Sequence, residues 1–316
     1  MRALHFDRQL MLRDDYPDPA PAPGESILRI RRAGICGTDL ELVRGYMGFR
    51  GVPGHEFVAD VLDTRNPALG GRRVVGEINA SCGACQSCLA GLGRHCPSRT
   101  VLGILRRDGA FADYLTLPDA NLHVIPDSLP DESAVFVEPL AAACEILDQC
   151  PIQRNETILV LGAGRLGALI AMLLRAEGYE PILAGRTPEK LARLAHLELK
   201  VALEDELMPG FDTVIDCTGN SAGFNRALAL VKPRGRLILK STAADGATLN
   251  LAAAVVNEIN IVGSRCGRFE PAIAALAAGR VDPRPLISAT FPLADGIEAF
   301  DAARDPSNFK VLLKPQ

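Results

Sequence analysis

A two-domain α/β protein, with a β-rich, barrel-like lobe and a doubly wound parallel sheet, is predicted by three features of this sequence. Its 316 residues exceed what one hydrophobic core usually organises, which favours two domains. Up to about residue 138 the chain consists of short alternating apolar runs broken by Pro and Gly, the pattern of half-buried strands. After Pro139 it changes to strand, glycine turn and helix in repetition, the pattern of βαβ units.

In the first region SILRIRRAG, HEFVADVL, RRVVGEI, FADYLTLP and LHVIP read as strands. In the second, ETILVLGAG, PILAG, FDTVIDCTG and RGRLILKST read as strands, and RLGALIAMLLRAEG, TPEKLARLAHL and SAGFNRALALV as helices. From about Phe269 a short helix, PAIAALAAG, and strand-like LISATFPL and KVLLKP follow, a texture that fits a return to the first lobe. The expected division is therefore 1–138 with 269–316, and 139–268. There is no internal repeat and no low-complexity segment.

With 48% hydrophobic and 23% charged residues the chain has the composition of an ordinary soluble globular protein. A net charge of -4 and the lack of any Lys/Arg run offer no field for a nucleic-acid backbone. No apolar stretch reaches the roughly 20 residues that span a bilayer, and MRALHFDRQL lacks the apolar core of a signal peptide, so a cytoplasmic protein with no membrane partner is expected. Nine cysteines in a reducing compartment argue against a disulfide framework, and Cys144, Cys150, Cys217 and Cys266 are expected to be small buried residues.

Cys82, Cys85, Cys88 and Cys96 form C-x2-C-x2-C-x7-C, a spacing that lets one loop deliver four thiolates to the corners of a tetrahedron. The turns between them, Gly83-Ala84 and Gln86-Ser87, offer no apolar face to bury free thiols. Four sulfur ligands leave no open position, so a zinc held here is structural.

ILVLGAGRLGALIAMLL carries Gly162, Gly164 and Gly167 in G-x-G-x-x-G register, after an apolar strand and at the opening of an apolar-periodic helix that starts with Arg165 and Leu166. That context makes it a dinucleotide fingerprint, with the phosphates on the helix N-terminus. The next strand ends at Gly185-Arg186-Thr187, where a carboxylate for a free ribose 2′-hydroxyl is missing. A small residue followed by a cation makes room for a 2′-phosphate, so Gly185, Arg186, Thr187 and Lys190 favour NADP(H) over NAD(H). The plainer reading of Arg186 is a surface arginine opening the following helix.

Upstream, Cys36 in GICGTDLELVRGY and His55-Glu56 in GVPGHEFVADV bring a thiolate, an imidazole and a carboxylate from separate segments. Mixed ligands with room for a labile water describe a catalytic zinc. Taken singly, His55 reads as a satisfied core histidine and Cys36 as a buried thiol. Their occurrence together with the four-cysteine loop and the nucleotide fingerprint favours the metal.

CGTD at 36–39, GHE at 54–56, the cysteines at 82–96, DGAFADY at 108–114, VEPLA at 137–141, GAGRLG at 162–167 and the closing FPL and KVLLKP occur in the order found in the zinc-dependent medium-chain dehydrogenase/reductases, which the whole chain resembles. The resemblance implies a GroES-like catalytic domain at 1–138 with 269–316, a Rossmann-type domain at 139–268, two zinc ions per chain, and a homodimer or homotetramer. It implies hydride transfer between NAD(P)(H) and an alcohol, polyol or sugar, or the matching carbonyl. Cys36 and His55 match ligands of the catalytic zinc, and Glu56 is either a ligand or a neighbour that exchanges with water. Glu138 falls where polyol dehydrogenases place a glutamate ligand; the alternative is a carboxylate favoured by a helix N-terminus. Thr38 resembles the hydroxyl that takes the substrate proton, with Asp39 as an orienter.

Two departures from the family pattern stand out. Glu41 occupies the position at which many relatives continue the proton relay through histidine, leaving the cofactor ribose, Glu41 or water as routes. A compact NPALGG connection joins Val61 to Arg72. Tyr46, Phe49, Arg50 and Arg265 are pocket candidates. Other readings are a zinc-independent quinone or ene reductase on the same scaffold, a non-enzymatic zinc and nucleotide binder, and an NAD-linked polyol or threonine dehydrogenase.

Overall fold

The computed structural model describes residues 1–241 and 251–315. Thr242, the last residue of the expected strand RGRLILKST, lies outside them. The chain forms two compact units, Met1–Glu138 with Phe269–Gln316, and Pro139–Arg268.

The first unit starts with the antiparallel pair β1 (Ala3–Asp7) and β2 (Gln9–Arg13). The long strand β3 (Glu25–Ile35) runs almost directly into α1 (Gly37–Leu42). Then come β4 (Glu56–Asp63), β5 (Arg73–Gly76), β6 (Asn79–Ala80), α2 (Gln86–Leu89), β7 (Thr100–Val101), β8 (Tyr114–Pro118), β9 (Leu122–Val124) and α3 (Asp131–Ala134). In β3 the buried Ser26, Leu28 and Ile30 alternate with less buried neighbours, the period of a half-buried strand. A register shift against β4 between Ile30 and Arg32 breaks the alternation, after which Ala33, Gly34 and Ile35 are all buried.

In the second unit, after α4 (Val137–Gln149), the order is β10 (Ile158–Leu161), α5 (Arg165–Ala176), β11 (Ile182–Gly185), α6 (Pro188–Ala192), β12 (Lys200–Leu203), β13 (Phe211–Asp216), α7 (Ser221–Leu230), β14 (Val231–Leu239), α8 (Ala252–Val256) and β15 (Asn260–Gly263). All neighbouring strands of its sheet are parallel, in the order β12-β11-β10-β13-β14-β15. Counted from β10 this is 3-2-1-4-5-6, the doubly wound order of the sequence expectation, and its switch point lies between β10 and β13. Leu159, Leu161, Val214 and Leu237 of the sheet pack with Phe224, Ala227 and Leu228 of α7, which explains the apolar runs of the strands.

The chain ends with α9 (Phe269–Ala277), β16 (Ile287–Pro292), α10 (Gly296–Arg304) and β17 (Lys310–Lys314). The last strands complete a mixed sheet, β16-β17-β3-β4-β5-β9, in which β8 also pairs with β3. β8 takes Glu25–Arg29 and β17 takes Ala33–Ile35 on one edge of β3, with β4 on the other. Phe111 and Phe300, both fully buried, meet edge to face at 5.7 Å within this unit.

Three local expectations are corrected. TPEKLARLAHL is not one helix: α6 stops at Ala192, a 3₁₀ turn covers Ala195–Leu197, and Glu198 takes φ 53°. The chain must double back there to enter β12 at Lys200. Cys144 and Cys150 are buried as expected, but Cys217 and Cys266 are only partly covered. Cys217 follows the last residue of β13 and Cys266 lies in the loop beyond β15, where the packed layers end. No helix among the described residues is long and apolar enough to cross a membrane.

Candidate metal and dinucleotide sites

The C-terminal end of β3 and the start of β4 bring three donors together. Cys36 is the N-cap of α1, and His55 and Glu56 lie at the mouth of β4; their ligand atoms all lie within 4.8 Å of one another. Asp39, wholly buried, holds this corner in place. Its carboxylate accepts the backbone N–H of Cys36 at 2.8 Å and of Gly54 at 3.1 Å, and lies 3.2 Å from His55 Nδ1. Bonding Nδ1 to a carboxylate leaves Nε2 of the neutral ring for a metal. Burial opposes charge on His55, but the Asp39 carboxylate and the Cys36 thiol outweigh it and hold the imidazole pKa well above its usual value.

Glu56 is 1% exposed. Its Oε2 accepts from Lys310, also buried, and its Oε1 has no hydrogen-bond partner. An orphaned carboxylate oxygen in a buried cluster with a thiol and an imidazole fits a divalent cation of borderline softness such as zinc. Thr38 places its hydroxyl 3.9 Å from Cys36 Sγ. The partly buried Glu138, in the first turn of α4, is not among the three gathered donors. Glu41 pairs instead with Arg44 at 2.7 Å.

The second donor set is Cys82, Cys85, Cys88 and Cys96. Sulfur separations are 3.5 Å for Cys85–Cys88, 3.7 Å for Cys85–Cys96, 3.5 Å for Cys82–Cys96 and 4.0 Å for Cys82–Cys88. A tetrahedron with zinc–sulfur bonds of about 2.3 Å has edges of about 3.8 Å, so this loop is already shaped for the ion and too open for disulfides. Backbone amides of Ala84 and Cys85 help to pull the Cys82 thiol down to about 6, favouring the thiolate that a metal needs.

At the switch point of the parallel sheet, β10 ends at Leu161 and is followed by Gly162, which takes φ +111°, and α5 opens with Gly164 as N-cap. A β-carbon on Gly167 would stand 2.0 Å from Gly162 O, whereas one on Gly164 would meet nothing within 4 Å. Gly167 is therefore demanded by packing, and Gly164 leaves open space beside the first turn of α5, which begins with Arg165 and Leu166 and is the end of a helix that favours an anion. Gly185 ends β11, where a β-carbon would lie 2.8 Å from Ala163 Cβ, so its smallness serves the closeness of the glycine loop to the next strand. Arg186 follows, exposed and without a hydrogen bond or ion pair among the described residues. Thr187 caps α6 and Lys190 lies within it.

Of the pocket candidates, Phe49 is buried with Phe6 and Leu42, Tyr46 packs against that cluster, and Arg50 pairs with Asp7 at 3.4 Å. Arg265 is exposed, and its carbonyl accepts from Lys240. The sequence reading missed Lys310, whose signal was a cation at the head of the otherwise apolar run VLL.

A doubly wound sheet with a phosphate-type glycine turn, joined in one chain to a mixed-sheet unit carrying two clusters of metal-type donors, is the build of a metal-dependent dehydrogenase. Comparison with known proteins agrees. Residues 22–127 match the alcohol dehydrogenase GroES-like domain and residues 166–278 match the zinc-binding dehydrogenase domain. The L-threonine 3-dehydrogenase of Streptomyces coelicolor is 31% identical over 95% of this chain and 94% of its own. A short chain alcohol dehydrogenase from E. coli CFT073, complexed with NADH, superposes with a TM-score of 0.88 at 27% identity, covering 99% of both chains. A putative zinc-binding dehydrogenase from Sinorhizobium meliloti 1021, bound to NADP, gives 0.89 at 26% identity, again over 99% of both. The chain belongs to the zinc-dependent medium-chain dehydrogenase/reductase family. It is an oxidoreductase that acts on a small molecule with a nicotinamide dinucleotide.

Proposed function

We propose that this protein is a zinc-dependent alcohol dehydrogenase that interconverts a primary or secondary alcohol, polyol or sugar with its carbonyl, using NADP(H) in preference to NAD(H). The observation that carries this reading is the convergence of Cys36, His55 and Glu56 on one point, with Asp39 fixing both the Cys36 backbone and the His55 ring. Cys36 and His55 hold the catalytic zinc, completed by Glu56 or by Glu138. The four-cysteine loop holds a second, structural zinc. Residues 1–138 with 269–316 act as the catalytic domain and 139–268 as the cofactor domain.

When bound, the zinc supplies a Lewis acid that lowers the pKa of an alcohol oxygen, and the nicotinamide supplies the hydride acceptor. Thr38, next to the metal donors, takes the alcohol proton in oxidation and returns it in reduction. Beyond Thr38 the proton leaves through water or the cofactor ribose, because Glu41 is turned to Arg44. Gly164 and the first turn of α5 hold the pyrophosphate, and Arg186, with Thr187 and Lys190, meets the 2′-phosphate. One known relative holds NADH and another NADP, so the reading for NADP rests on Arg186 of this chain. The assembly is a homodimer or homotetramer in the cytoplasm, with no nucleic-acid or membrane partner.

The test is a panel of alcohols, polyols, sugars and aldehydes assayed with both cofactors on protein of measured zinc content. Turnover of at least one alcohol–carbonyl pair, faster at low NADP(H) than at equal NAD(H), is expected. No turnover of any pair by protein carrying two zinc ions per chain contradicts the reading.

A further inference from the structure

Glu56 and Lys310 are 254 residues apart in sequence, and both are almost wholly buried. They come from the two strands that flank the end of β3. Glu56 opens β4 opposite Gly34, and Lys310 opens β17 one residue before Val311, which pairs with Ile35. The lysine ammonium must therefore cross β3 to reach the carboxylate. It crosses over Gly34: a β-carbon there would stand 2.6 Å from Glu56 Oε2, 2.9 Å from Val135 Cγ1 and 3.5 Å from Lys310 Cδ. Any other residue at 34 would press on the space in which the two side chains meet. The ammonium also lies 5.6 Å from the centre of the Phe136 ring, a face that favours a cation without offering it a hydrogen bond. Lys310 bonds only one carboxylate oxygen, Oε2, while Oε1 stays buried without a partner in the cluster with Cys36 and His55.

We propose that Lys310 is a positioning residue for the metal cluster: it pins Glu56 Oε2 across the gap at Gly34 and so presents Oε1 to the cation held by Cys36 and His55. This rests on the reading of that cluster as a zinc site. An isolated structural ion pair would leave no carboxylate oxygen orphaned, and burying a lone lysine–glutamate pair is costly unless both groups serve a fixed geometry. Outer partners of this kind set the orientation of a ligand, and their loss typically costs about 10- to 100-fold in metal affinity.

The experiment is chelator titration of the full-length zinc-loaded protein, with zinc counted as equivalents retained per chain, alongside thermal melting. In Lys310→Met the zinc of the Cys36 cluster is expected to leave at about 10- to 100-fold lower chelator strength, the zinc of the four-cysteine loop at unchanged strength. Lys310→Arg, which restores a charged donor, is expected to recover most of the affinity. Should Lys310→Met fail to fold, Lys310→Gln, with a neutral donor of similar length, is expected to release the zinc of the Cys36 cluster at lower chelator strength than wild type and that of the four-cysteine loop at unchanged strength. Unchanged release in the folded Met or Gln variant overturns the proposal, as does equal weakening of both zinc ions together with a lower melting temperature. Cys36→Ser separates the two levels: if it releases no zinc, the cluster itself has been misread; if it releases one equivalent while Lys310→Met releases none early, only the role of Lys310 falls.

Discussion

Asp39 Oδ1 lies 3.2 Å from His55 Nδ1, and the same carboxylate accepts the backbone N–H groups of Cys36 and Gly54. One buried side chain thus sets the direction of an imidazole and the position of a thiol. Asp39→Asn puts an NH2 group against an N–H donor wherever the amide is turned. The expected cost is about 1–3 kcal/mol of stability for the unsatisfied donors and about 10- to 100-fold in zinc affinity at the Cys36 cluster. Urea unfolding and chelator titration read the two effects. Wild-type zinc affinity in this variant would show that Asp39 does not orient His55.

Gly164 and Gly167 belong to one fingerprint but serve different needs. Gly167→Ala drives a methyl group into Gly162 O and is expected to destabilise the fold by about 3 kcal/mol or more. Gly164→Ala adds a methyl group to open space at a backbone conformation that alanine tolerates, so melting is expected near wild type. Its dinucleotide dissociation constant is expected to rise on the order of tenfold or more, because the methyl group occupies the approach of the phosphates. Isothermal titration with NADP and NAD checks this, and unchanged affinity for both would place the pyrophosphate elsewhere.

Arg186 stands exposed after β11 with no partner among the described residues. Arg186→Asp exchanges a phosphate partner for a ribose-hydroxyl partner. NADP binding is expected to weaken roughly 10- to 100-fold, as for loss of a charged hydrogen bond, and NAD binding to hold or improve. Equal losses for both cofactors would remove the assignment of the 2′-phosphate to this residue.

Asp212 ties the base of the parallel sheet together, accepting from the backbone N–H of Thr157 at 2.8 Å and its hydroxyl at 2.6 Å, and from Lys232. Burial alone would raise its pKa, but Lys232 and Thr157 prevail and bring it to about 2. A depressed carboxylate stabilises the fold above its unfolded value near 3.8 and loses that contribution as pH falls toward 2. Asp212→Asn is expected to be less stable at pH 7 by on the order of 1 kcal/mol after solvent screening. The gap to wild type should narrow as pH falls below 4. Urea unfolding at pH 7 and at pH 3 measures it, and a constant gap contradicts the assignment.

Strands β10, β11, β13 and β14 of the parallel domain were legible in the sequence as short apolar runs and Gly162 and Gly167 as sterically required, whereas the more exposed β12 and β15 were not read. α6 was over-read: TPEKLARLAHL keeps its helical period past the point where the chain turns back toward Lys200. Cys36, His55 and Glu56 were named from residue type and family resemblance, and the role expected of Asp39 matches its hydrogen bonds. The Lys310–Glu56 pair was not legible, because it depends on β17 and β4 lying on opposite edges of β3. No local pattern carries a contact that spans 254 residues. A charged residue at the head of an apolar strand was the only trace it left.

In the proposed function the two donor clusters divide chemistry from structure. Zinc content, turnover and melting temperature measured together on wild type, Cys36→Ser and Cys88→Ser test it most directly. The expected result is loss of one zinc equivalent per chain in each variant. Cys36→Ser should lose turnover while melting near wild type, and Cys88→Ser should melt earlier while its surviving folded fraction still turns over. Full turnover and undiminished zinc in Cys36→Ser would contradict that division.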